Sequence, residues 1–321
     1  MVFTDRPKPV SARKVFRIAR LALVWVLLCV PPASSPAASV SETIRSVQSG
    51  GTVYSQLSPT VDNPIYLPVI RSESLGSVSG KVVRAENGQG LVGAQVCMSG
   101  GSCVTTGSSG SYQMANVLSG PREFTALASQ CISVTESVEV LPNQSTTLDF
   151  GLSNDLSIDG VERRMVLTWD PTPEFITPKG SYANDLDANL WISSTLSVEP
   201  VHIYSDQNHR GKCLEFPYSC LRFDETQGFG PETIDVKQLE FVYYYGVYDV
   251  YFMYDEENLP PITELDAVVR VYTLEGTQLA YHVPLSGEGN FWYVFAMDHS
   301  GQITPTNCII NYPGDSLPSC P

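Results

Sequence analysis

The stretch Val78-Ser79-Gly80-Lys81-Val82-Val83, followed by Glu86-Asn87-Gly88-Gln89-Gly90, reads as a strand running into a hairpin turn. Val78 and Val82 alternate with Ser79 and Lys81, the period of a half-buried strand. Asn87-Gly88 is the dipeptide that most readily closes a two-residue hairpin. Outward from this pair the pattern repeats. Ala94 to Met98 and Cys103 to Thr106 form the next two runs, Gly107-Ser108-Ser109-Gly110 turns, and Tyr112 to Met114 resumes. Glu123 to Ala128, Ser133 to Val140 and Thr146 to Phe150 complete the set. No helical period interrupts it. About seven short strands separated by turns predict a small β-sandwich over residues 75–153. Gly110 suits a left-handed backbone that reverses the chain, after which Tyr112 turns inward to close one end. Thr105 and Thr106 are β-branched and suit a pleated surface.

These residues carry a resemblance. Gly80 and Val82, Gly93-Ala94-Gln95-Val96, Thr105-Thr106, Gly110-Ser111-Tyr112 and Gly120 follow the order and spacing of the carboxypeptidase regulatory-like domain. The resemblance covers residues 76–152. It implies a prealbumin-like or Ig-like Greek-key sandwich, of the kind met in carbohydrate-binding-like folds, that is not itself catalytic. Where the family often has an Asp in the turn before Gly-x-Tyr, Gly107, Ser108 and Ser109 stand here.

A second module is expected over residues 155–321, giving an all-β chain of two sandwiches. Arg164 to Trp169 opens it, and Pro171 to Asn184 reads as a loop. Asp185-Leu186-Asp187-Ala188-Asn189-Leu190-Trp191 then alternates with period two. Leu186, Ala188 and Leu190 face a core, while Asp185, Asp187 and Asn189 share the other face. Glu240 to Tyr245, Tyr248 to Tyr254, Ala267 to Thr273, Leu279 to Val283 and Phe291 to Met297 read as further strands, about eight in all. Leu-x-Trp, Asp-x-Asp-x-x-Leu-Trp, Asp224 with Gly228-Phe229-Gly230-Pro231-Glu232, and Gly246-Val247-Tyr248 together resemble a bacterial exported domain to which no activity is attached. That resemblance implies fold and export only. The family often has His where Asn189 stands.

The N-terminus supports export. Arg6, Lys8, Arg13, Lys14, Arg17 and Arg20 precede the apolar run Leu21 to Val30, and small residues follow to Ser39. This is the order of a secretory signal over 1–39, with cleavage between Ser35 and Ser39. The run is about half the ~20 residues that cross a bilayer, and two prolines follow it, which argues against an uncleaved anchor. Leu27 and Leu28 before Cys29 exclude a lipoprotein site. After cleavage no transmembrane segment is expected, and residues 40–74, with Pro59, Pro64 and Pro68, read as a linker.

The chain has 321 residues and a formal charge of −15. Without residues 1–39, which hold six Lys/Arg and one acid, 13 basic and 33 acidic residues remain, for −20. Such a field repels phosphate backbones and excludes nucleic acid as partner. Of eight cysteines, seven lie beyond the signal. Cys97 and Cys103, and Cys213 and Cys220, are spaced as bridges across turns. Cys308 and Cys320 would tie down the C-terminal tail, leaving Cys131 over. No Cys-x-x-Cys occurs, so disulfides are expected rather than zinc.

Three candidate sites follow. Asp185 and Asp187 project about 6–7 Å apart along one strand face, and Asp224 and Glu232 flank a Gly-rich loop that can fold beside them. Hard oxygen donors in this number suit calcium. The competing reading pairs Asp185 with Arg163 or Lys179. Tyr243, Tyr244, Tyr245, Tyr248, Tyr251 and Tyr254 crowd adjacent runs. Tyr251, opposite in parity to Tyr248, could stack on a sugar ring, although tyrosines buried against a second sheet are commoner. For catalysis the four histidines form no His-Glu-x-x-His, Gly-x-Ser-x-Gly is absent, and no zinc-carboxypeptidase His-x-x-Glu occurs. The expectation is a secreted, non-enzymatic binding or adhesion protein of a bacterial cell surface, with a glycan or a surface protein as partner and calcium as the only candidate cofactor. A purely structural spacer or stalk is the alternative, and a glycan-active enzyme the least favoured.

Overall fold

The computed structural model describes residues 47–49, 52–57, 65–69, 74–170, 175–177, 180–182, 185–226, 228–250, 260–276 and 278–321. Among them no helix is long and apolar enough to cross a membrane. The signal over 1–39 and Tyr251 lie outside the described residues. The chain divides into two units, Met1–Ser72 and Glu73–Pro321.

The expected linker contains strands. β1 (Val47–Ser49), β2 (Thr52–Leu57) and β3 (Ile65–Val69) form an antiparallel sheet in that order. Thr52-Val53-Tyr54 has the β-branched and aromatic composition that favours pairing. Pro68 lies in β3, an edge strand of this sheet, where proline is accepted.

In the second unit, Leu75–Arg84 (β4) is the axis of the first sandwich. β5 (Gln95–Met98), β6 (Cys103–Thr105), β7 (Ser111–Leu118), β8 (Gly120–Leu127), β9 (Val134–Val140), β10 (Ser145–Thr147) and β11 (Phe150–Leu152) complete it. β7 pairs antiparallel with β4, while β10 and β11 add in parallel to successive halves of its other edge. The facing sheet runs β6-β5-β8-β9. Val78, Val82, Val96, Tyr112, Phe124 and Phe150 fill the space between. Gly110 has φ +77°, and a Cβ there would strike Val82 O at 2.4 Å. Tyr112 is buried, and its hydroxyl donates to Leu148 O at 2.6 Å, closing the sandwich end. There are eight strands rather than seven, because the last run divides at Leu148 and Asp149, where the Asp149 side chain accepts from the Lys81 amide.

The second sandwich is larger than expected. One sheet runs β17 (Gly211–Lys212), β18 (Ser219–Phe223), β19 (Glu232–Val236), β12 (Arg163–Thr168), β21 (Val268–Thr273), β22 (Gln278–His282). The other runs β16 (Val201–Ile203), β15 (Leu186–Ser193), β20 (Val242–Asp249), β23 (Phe291–Met297), β24 (Ile303–Ile310). Leu186, Ala188, Leu190 and Ile192 pack against Met165, Leu167, Ile234 and Val269 between the sheets. Inside the expected loop, β13 (Phe175–Thr177) and β14 (Gly180–Tyr182) form a hairpin.

The aromatic run departs from its reading. Val242–Asp249 is one continuous strand with no break at Gly246. Glycine is there for room: a Cβ would lie 2.0 Å from Phe291 Cζ. Tyr243 and Tyr245 enter the inter-sheet core. Tyr248 is buried on the opposite face, with Trp191, Phe291 and Tyr293, beneath Tyr312 and Leu317 of the tail. Cys308–Cys320 anchors that tail, and Trp191 Nε1 donates to Gly314 O at 3.1 Å. Cys97–Cys103 and Cys213–Cys220 are also bonded, and Cys131 is free.

The first sandwich rests on the outer face of the six-stranded sheet. That contact makes β12 buried on both faces. Ala85 meets Leu156, Val161, Val166 and Tyr272 there. Arg164 lies at its centre with no exposed surface. Nε and Nη2 donate to the two oxygens of Asp235 at 2.6 and 2.9 Å, Nη2 also reaches Asp159 at 2.9 Å, and Nη1 pairs with Glu86 of the first sandwich and reaches Ser153 Oγ at 3.3 Å. Arg270 pairs with Glu136 across the same seam.

Candidate metal centre

The acidic cluster grows from the period of three elements. Glu232 opens β19 with the parity of Ile234 and Val236, so its side chain enters the interior between the sheets. β16 covers β15 only from Leu190 to Ile192, leaving the edge at Ala188 open. Glu232 Oε2 takes the Ala188 amide at 2.7 Å. Asp185 and Asp187 stand on either side of Leu186 at the start of the same strand. Together, Asp185, Asp187 and Glu232 each place a carboxylate oxygen within 4.8 Å of the others.

The expected pairing of Asp185 with a base does not form at Arg163, which lies 3.8 Å from Glu275; Lys179 is outside the described residues. Asp185 is buried, and its Oδ1 has no hydrogen-bond partner. Glu232 has 0% exposure, and its Oε1 is likewise unpartnered. Asp187 Oδ2 accepts from Ser205 Oγ at 2.9 Å. Asp224 stands apart from the group of three: Oδ2 pairs with Arg210, but its buried Oδ1 has no partner. Its charge nevertheless acts on all three carboxyls.

Burial dominates their acidity. Loss of water lifts Asp185 to about 7, and the charges of Asp187, Asp224, Asp249 and Glu225 add to it. Burial lifts Asp187 to about 6; the Ser205 hydrogen bond and Arg210 oppose the rise, and Asp224 reinforces it. Glu232 is raised well above the carboxylate range by burial and by Asp187. Burial, reinforced by the Glu232 charge, also raises the Tyr245 phenol, whose oxygen has no partner. Two unit charges about 4.8 Å apart repel by about 3.5 kcal/mol at an effective dielectric of ~20. Three such carboxylates, with Arg210 as the cation that acts on them among the described residues, are stable as protonated acids or around a cation. The all-oxygen donor set, with oxygens close enough to share one ion, fits calcium.

Sequence reading placed Asp185, Asp187 and Glu232 together. It missed Asp249 and Glu225, whose charges reach the site, and Ser205 and Arg210, which temper it. Asp249 is opposite Leu186 in the β15–β20 register, a pairing that only strand alignment discloses.

Residues 77–153 match the family model of the carboxypeptidase regulatory-like domain. No curated protein matches the chain. Among solved structures, a protein of unknown function is 17% identical, with TM-score 0.32, over 50% of this chain and 93% of that one. A Streptomyces coelicolor homologue of a telluride resistance protein is 16% identical, with TM-score 0.32, over 49% of this chain and 93% of that one. A streptococcal ancillary pilin is 11% identical, with TM-score 0.22, over 74% of this chain and 70% of that one. Likenesses this distant carry no functional argument.

Proposed function

We propose that the chain is an exported, non-enzymatic binding or adhesion module of the cell surface, whose second sandwich holds calcium between Asp185, Asp187 and Glu232, with Asp224 as a fourth donor. The observation that carries the metal reading is Glu232: a carboxylate with no exposed surface, one oxygen spent on the Ala188 amide and the other unpartnered beside two aspartates. A lone buried charge of this kind costs several kcal/mol unless it is neutralised or paired. The three disulfides and the charged, then apolar, N-terminus support an oxidising destination. The regulatory-like match of the first sandwich supports a role without bond-making chemistry.

Calcium titration followed by thermal unfolding tests this. Extracellular modules hold calcium with dissociation constants of about 0.1–1 mM. At about 0.1 mM, addition of about 10 mM calcium stabilises the fold by about 2.7 kcal/mol, or about 5–10 °C for a chain of this size. Asp185→Asn with Asp187→Asn abolishes the shift while relieving repulsion, so the variant folds without metal. An unchanged melting temperature of the parent chain at this calcium concentration overturns the metal reading.

A further inference from the structure

The cluster stands at the base of the loop joining β18 to β19, with Asp224 at its entry and Glu232 at its exit. The same hairpin is a wall of the seam. Phe223 covers Gly88 of the first sandwich so closely that a Cβ there would lie 2.4 Å from its ring. Pro231 lies against Gly151, 3.2 Å from where a Cβ would stand. Thr233 Oγ1 donates to Ala85 O at 2.6 Å. Between these contacts runs a groove of about 580 Å³, with Lys81, Tyr112 and Asp149 on one side and Glu225, Phe229 and Gly230 of the hairpin on the other.

We propose that the carboxylate cluster is a latch: a calcium ion bound by Glu232 and Asp224 to Asp185 and Asp187 fixes the Phe223–Thr233 hairpin and, through Phe223 and Pro231, locks the two sandwiches together and sets the width of the groove. The proposal rests on the calcium reading above, whose second support is the unpartnered, wholly buried Glu232 oxygen. Without the ion the carboxyls have no common partner, and the hairpin base is held to β15 through the hydrogen bond that Glu232 accepts from the Ala188 amide. Arg164 holds the other half of the seam by contacts that involve no metal, so calcium acts on one side of the junction only.

Hydrogen exchange on the exported chain, in about 10 mM calcium or in chelator, reads this out. Calcium slows exchange in 219–235 and also in 79–91 and 147–152 of the first sandwich, by up to about a hundredfold at one hundred times the dissociation constant. Residues 291–297 do not respond. In Phe223→Ala, calcium still binds by calorimetry but 79–91 no longer responds; Phe223→Leu retains the response. If calcium binds and only 219–235 responds, or if Phe223→Ala leaves the response of 79–91 intact, the latch is wrong while the metal site stands. If calorimetry detects no calcium binding, the metal reading fails and the latch falls with it.

Discussion

Replacing Arg164 with Met tests the seam most directly. The guanidinium uses its fork on Asp235, which has no exposed side-chain surface, and on Glu86, which has 4%. Methionine matches much of the volume but leaves Glu86 buried without its cation and Asp235 with only the half-exposed Arg222, 3.4 Å away. Removing one partner of a buried pair costs about 3–5 kcal/mol, chiefly from the charge left behind. For a unit of this size that lowers the melting temperature by roughly 6–20 °C. Glu86→Gln is milder, about 1.5–3 kcal/mol, because Asp235 and Asp159 still hold the arginine inside the second sandwich. The triple variant Arg164→Met, Glu86→Gln, Asp235→Asn recovers most of the loss, since the two most buried carboxylates are gone and Asp159 keeps part of its surface in water. Urea unfolding followed by circular dichroism gives the three free energies. A loss below about 1 kcal/mol for Arg164→Met, or a triple variant as unstable as the single one, refutes the reasoning.

His202 is buried against Trp191, and burial lowers its pKa to about 4, with only partial relief from Asp315. The folded state therefore resists a proton that the unfolded chain accepts near 6.5. Its contribution is complete above 6.5 and is lost as pH falls toward 4, up to about 3 kcal/mol; unfolding midpoints of His202→Gln lack this part of the slope, and parallel curves would discard the assignment. Gly246→Ala forces a methyl into the Phe291 ring and costs at least about 1–3 kcal/mol, measured by denaturant midpoint. Cys308→Ala with Cys320→Ala opens a loop of separation 12, a loss of about 3 kcal/mol, and shifts Trp191 emission to the red as the tail lifts. Unchanged emission would place the tail's hold in its packing alone.

Legibility follows the reach of each interaction. Period-two alternation put Leu186, Ala188 and Leu190 in the core, because alternation is local and burial enforces it. Gly110 and Tyr112 marked the closed end of the first sandwich for the same reason: the turn dictates both residues within three positions. Composition reads 40–74 as a spacer, whereas Pro68 stands in the edge strand β3, a place that accepts proline. Parity cannot say what covers the outer face of β20, where the tail lies over Tyr248. The four acids were visible as residue types near a Gly-rich loop. Their depth was not, since Glu232 is buried by the facing sheet that the tertiary fold brings over β19. Arg164 with Glu86 and Asp235 spans 78 and 71 residues of sequence, beyond any local pattern.

The tail over β20 bears on how this polypeptide can be cut and handled. A fragment ended before Tyr312 would bare a contiguous plate of Trp191, Tyr248, Phe291 and Tyr293, a size and character of surface that invites self-association. Recombinant versions meant to stay monodisperse therefore need to run through Cys320, and purification buffers rich in thiols would open the covalent tie of the tail that keeps this plate dry.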